Sequence, residues 1–115
     1  MFHEMCVYHT LPGRMPALHA RFREAGVALW SRHGFRQVGI FTDWIGPDCA
    51  NKLICLLAWE SMSERDTKWR AFLADPEWVA ACERGERDGR IVARCESSIL
   101  RPTPYSGACS PPASP

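Results

Sequence analysis

The sequence lacks several features that would announce a function. It has no long apolar run, no C-x-x-C pair, no H-x-x-x-H spacing, no phosphate-binding loop and no internal repeat. Without an apolar run of about 20 residues there is no candidate membrane span. No basic segment followed by an apolar stretch opens the chain, so no secretory signal is expected. Four scattered histidines and six widely, irregularly spaced cysteines provide no ligand set for zinc, and no metal or cofactor is expected. The same cysteine spacing argues against a disulfide framework and for free thiols in a reducing cytoplasm. Charge is also missing: 14 Lys and Arg against 13 Asp and Glu leave a net +1, too little for a nucleic-acid or anionic-membrane footprint.

What is present is a chain of 115 residues, 46% hydrophobic, with five tryptophans. A chain of this length buries roughly two thirds of its unfolded surface and folds without staples. Met1 to Tyr8 reads as a strand stopped by Leu11-Pro12-Gly13. Met15, Leu18, Phe22, Ala25 and Leu29 recur at steps of three and four, which predicts a helix over Met15 to His33 ended by Gly34. Phe35 to Trp44 is the second expected strand. The nearly continuous apolar run Lys52 to Glu60 is the third, a central strand covered on both faces. Ser61-x-x-Glu64 is a capping box opening a helix to about Asp75, with Trp69, Phe72 and Leu73 as its buried stripe. Asp75-Pro76 caps a further short helix through Trp78, Val79 and Cys82, and Ile91 to Leu100 is the last strand.

The order β-α-β-β-α-β is that of a ferredoxin-like α+β subunit, a four-stranded antiparallel sheet with helices on one face. The domain is expected over 1–101 and a Pro/Ser-rich tail over 102–115. A central strand apolar on both sides leaves one sheet face without a helix, which monomers rarely tolerate. The expected partner is a second copy, the two sheets packing face to face around a barrel-like interior that holds a small ligand.

Five stretches, taken in order, resemble the NIPSNAP family: "YHTLPGRM" (Tyr8 to Met15), "RHGF" (Arg32 to Phe35), "WES" (Trp59 to Ser61), "DPEW" (Asp75 to Trp78) and "SSILRPTPYS" (Ser97 to Ser106). The resemblance implies a dimeric α+β barrel built on a ferredoxin-like subunit. It implies little chemistry, because the wider group includes cofactor-independent monooxygenases, heme-degrading enzymes, isomerases and dehydratases beside proteins with no known reaction. Relatives commonly read like "YELRTY" in the first strand. Here the stretch is "HEMCVY", with Cys6 in place of the arginine.

Strand alternation puts Glu4, Cys6 and Tyr8 on one face and His3, Met5, Val7 and His9 on the other. Assigning Met5 and Val7 to the helix-packed core sends Glu4, Cys6 and Tyr8 into the barrel, and separates Cys6 from His3 and His9. There Glu4 is the candidate acid or base, its pKa raised by an apolar cavity, and Tyr8 the candidate phenol donor. The alternative for Glu4 is an interface carboxylate paired with an arginine such as Arg94. Cys6, Trp44, Trp59, Arg94 and Glu96 complete the candidate ligand-binding set. Two functional readings follow: a cofactor-independent enzyme of secondary metabolism (isomerase, cyclase, dehydratase or monooxygenase type) acting on a small, largely apolar molecule, and a non-catalytic dimer that binds a ligand or a protein. A purely structural dimerisation module is the third.

Overall fold

A computed structural model describes residues 1–107. Strand β1 (Phe2–Thr10) leads into α1 (Met15–Arg21), which passes through a π-helical turn (Phe22–Gly26) into α2 (Val27–Arg32). Then come β2 (Arg36–Thr42), β3 (Lys52–Trp59), α3 (Met62–Leu73), α4 (Pro76–Gly85) and β4 (Val92–Leu100). The strands form one antiparallel sheet in the order β2-β3-β1-β4, so β1 and β3 are central and β4 is an edge. This is the α+β architecture that the pattern of elements predicts.

Local chemistry sets the boundaries. Gly34 holds φ at 79°, a left-handed conformation that ends the first helix without a Cβ penalty. Ser61 accepts from the Glu64 amide at 3.1 Å, while Glu64 reaches back to the Glu60 amide at 3.0 Å. Asp75 caps α4 by accepting from the Glu77 amide, and Pro76 takes the first turn. β2 ends at Thr42 rather than Trp44. Phe35 leaves the strand for the core, while Trp44 stands 92% exposed in the following loop.

The core lies between the helices and one sheet face. Phe35 stacks on Trp30 at 5.5 Å and meets Trp59 and Trp69 edge-on at 5.0 Å each. Such aromatic pairs contribute about 0.5–1.5 kcal/mol beyond their buried area. Met15, Leu18, Phe22 and Leu29 are buried as their spacing requires. Leu73 departs from expectation and is exposed, while Phe72 and Ala81 carry the buried contacts of their helices.

Candidate functional site

The register of the sheet sorts its side chains into two surfaces. On the helix side, Leu57, Glu4 and Ile99 align across β3, β1 and β4, followed by Cys55, Cys6 and Ser97, then Leu53, Tyr8 and Cys95. On the other side run His3 between Ala58 and Leu100, Met5 between Leu56 and Ser98, Val7 between Ile54 and Glu96, and His9 between Lys52 and Arg94. The expected partition of the first strand therefore holds, but its orientation is reversed. Glu4, Cys6 and Tyr8 face the helices, and Met5 and Val7 face away. Both sets include apolar residues, so alternation separates them without saying which one the helices cover.

Glu4 is 1% exposed and is the hub of a closed hydrogen-bond network. Its Oε1 accepts from Trp59 Nε1 at 3.0 Å, Trp69 Nε1 at 2.9 Å and Arg65 Nε at 2.9 Å. Its Oε2 accepts from Arg65 Nη2 at 2.8 Å and from the Ser97 hydroxyl. Burial pushes the carboxyl up, but the hydrogen bonds from Arg65, Ser97 and Trp69 and the guanidinium charge outweigh it and hold the group at about 2. The expectation of a raised pKa in an apolar cavity is corrected. The partner arginine is Arg65 of α3, not Arg94. A carboxylate saturated by five donors is a poor proton acceptor and a good structural anchor.

The neighbours of Glu4 are equally unreactive. Burial pushes the Cys6 thiol far up, and the charge of Glu4 adds to this. Burial pushes Cys55 up to about 12. Tyr8 is raised well above its ordinary value, first by burial, and its ring meets Phe22 edge-on at 5.5 Å. Trp59 is fully buried. These four side chains belong to the helix-packed core. The five described cysteines are free, and Cys109 lies outside the described residues.

The helix-free face carries Arg94 and Glu96 from the expected set. Arg94 Nε contacts Glu96 at 3.2 Å, and His9 Nε2 lies 2.7 Å from the same carboxylate oxygen, so His9 has a partner that sequence reading did not find. The Arg94 guanidinium and His9 hold Glu96 below its usual value. Lys52 pairs with Asp43 at 2.7 Å. These groups make a polar row across one end of the face. Beside it lies an apolar band: Val7, Met5, Ile54 and Leu56 are half-buried and Phe41 is 52% exposed. Phe41 lies flat over Gly39, where a Cβ would come within 2.5 Å of the ring. Trp44 and Ile45 project from the adjoining loop, both more than 90% exposed. Among the described residues no three His, Cys, Asp or Glu side chains converge on a metal position, and no helix is long and apolar enough to cross a membrane.

Known proteins of similar sequence and shape bear on this arrangement. The family model described as NIPSNAP matches residues 3–107. The chain is similar to a NIPSNAP family protein of unknown function from Agrobacterium tumefaciens, with 27% identity over 93% of this chain and 92% of that one and a TM-score of 0.79. It resembles an uncharacterized NIPSNAP-like domain protein from Burkholderia xenovorans, with 24% identity over 91% and 87% of the two chains and a TM-score of 0.78. A putative antibiotic biosynthesis monooxygenase from Chloroflexus aurantiacus shares the fold alone, with 17% identity over 89% and 94% of the chains and a TM-score of 0.52. No curated protein matches the chain.

Proposed function

The chain belongs to the NIPSNAP family, and we propose that it works as a homodimer whose helix-free sheet faces pack together and enclose a site for a small, largely apolar molecule. The observation that carries this reading is the apolar band of Met5, Val7, Phe41, Ile54 and Leu56, which no layer of the described residues covers, bordered by Trp44 and Ile45. A second copy offers the same band by symmetry, and the two sheets bury each other. In this arrangement Trp44 reaches toward the partner, and Arg94, Glu96 and His9 provide the polar contacts of the interior.

The role given to the first strand changes with its orientation. Glu4 and Tyr8 act in this reading as anchors of the fold: Glu4 ties β1 to α3 and β4, and Tyr8 packs on Phe22. Proton transfer to a bound ligand falls to the exposed carboxylate of Glu96 on the open face, with the ring nitrogens of His9 buried beside it. Binding itself requires neither metal nor cofactor. The reading puts the dimer in the reducing cytoplasm, in keeping with the buried free thiols of Cys6 and Cys55.

Sedimentation equilibrium tests the assembly. The wild type is expected to sediment as a dimer, and Ile54→Glu, which places a charge in the band, as a folded monomer with unchanged far-ultraviolet dichroism. A wild type that stays monomeric at high micromolar concentration refutes the reading.

A further inference from the structure

His3 stands on the helix-free face, in register with Ala58 and Leu100, yet it is only 6% exposed and Ala58 only 3%. The sheet itself does not bury them. The segment that follows β4 borders the same surface, leaving a cavity of about 270 Å³ lined by His3, Leu56, Leu100, Arg101, Pro102 and Thr103. Ser106 also lines it and donates its amide to the Thr103 carbonyl at 3.1 Å, which fixes the turn.

Two polar side chains of this lining lack protein partners. Among the described residues, neither the His3 ring nor the Arg101 guanidinium makes a hydrogen bond or an ion pair, and the His3 nitrogens are not among the sealed polar atoms. With no partner among the described residues, the His3 ring nitrogens are open to water or to a molecule in the cavity. Arg101 lines the cavity and is exposed, and a guanidinium matches the two oxygens of a carboxylate. Leu56, Leu100 and Pro102 supply the apolar wall. At about 270 Å³ the cavity has room for a small organic molecule.

We infer that this cavity binds a small monocarboxylate, an aromatic or short aliphatic acid, with its apolar body between Leu56, Leu100 and Pro102 and its carboxylate on Arg101 and His3. The cavity lies on the same helix-free face as the site proposed above, at the other end of β1 from His9 and Arg94, and rests on that reading for its setting between subunits. The cavity itself is built by one chain. Its binding and the dimer can therefore fail separately.

The test is titration of the full chain with benzoate and with benzamide, its uncharged analogue, followed by calorimetry and by the NMR signals of His3 and Leu100. Benzoate is expected to shift both signals and to bind at least about tenfold tighter than benzamide. Arg101→Gln, at an exposed position, is expected to remove that preference, and His3→Phe, which fills the cavity, to abolish binding of both. No shift with millimolar benzoate, equal affinity for the two probes, or an unchanged preference in Arg101→Gln overturns the inference. Sedimentation of the same samples separates the outcomes. A monomer that binds benzoate with this preference refutes the dimer and supports the cavity, and a dimer that does not bind refutes the cavity alone.

Discussion

Replacing Glu4 with glutamine tests whether the first-strand carboxylate is an anchor. The side chain is buried and accepts from Trp59, Trp69, Ser97 and two nitrogens of Arg65. Its carboxyl is lowered from the ordinary 4.5 to about 2. At about 1.4 kcal/mol for each tenfold change in proton affinity, this corresponds to roughly 3 kcal/mol of stability. Arg65 is 24% exposed, and screening reduces the figure to about 2–3 kcal/mol. Glutamine keeps one acceptor oxygen and turns a donor toward donors already present, which adds about 1 kcal/mol. The variant is therefore expected to lose about 3–4 kcal/mol at pH 7 and to melt about 15 °C lower. The sign of the pH dependence follows from the lowered folded-state value. The contribution is complete above about 4.5, the unfolded value, and is lost as pH falls through about 2. Urea unfolding of both proteins at pH 7, 5 and 3 reads this directly: the gap between them should narrow by about 1.5 kcal/mol, somewhat under half, between pH 7 and 3. A loss within about 0.5 kcal/mol at pH 7, or a gap that stays constant with pH, refutes the anchor.

Other expectations concern separate parts of the chain. Iodoacetamide at neutral pH should modify the exposed Cys95 while leaving Cys6 and Cys55 intact until denaturant is added, because those thiols are buried and strongly protonated. Peptide mapping by mass spectrometry checks the order, and labelling of Cys6 before Cys95 contradicts it. Gly34→Ala places a Cβ at φ 79° and within 3.1 Å of the Lys68 side chain, and should cost about 1–2 kcal/mol in chemical denaturation. An unchanged midpoint would show that the first helix ends without needing the left-handed residue. The Ile54→Glu and Arg101→Gln variants test the open face as set out above.

The elements were legible because their signals are local. The capping box at Ser61, the Asp75-Pro76 restart and the glycine after His33 each act within one turn of chain, and all three stand where the sequence predicts them. The role of Cys6 could be read in part: alternation separates its thiol from His3 and His9 in either orientation of the strand. The orientation itself was not legible. Met5 and Val7 are apolar and so are Cys6 and Tyr8, and a central strand with apolar residues on both sides carries no binary pattern.

One signal could have decided the orientation. Arg65, Trp69 and Phe72 follow one another at steps of four and three in α3, so the stripe that buries Phe72 also turns a guanidinium toward the sheet. An arginine on a buried stripe needs an acid opposite it. Strands β1 and β3 are the central strands beneath α3, and Glu4 is the only acid in either. Glu4 must then face the helices, which turns His3, Met5, Val7 and His9 outward. The same step explains why a cysteine suffices beside it. With Arg65 delivering the cation from the helix, position 6 needs no charge of its own, and a small apolar side chain fits between Cys55 and Ser97. The residues that first suggest chemistry in this strand thus hold the fold together, and the surface proposed for binding passes to the neighbours that alternation puts on the other side.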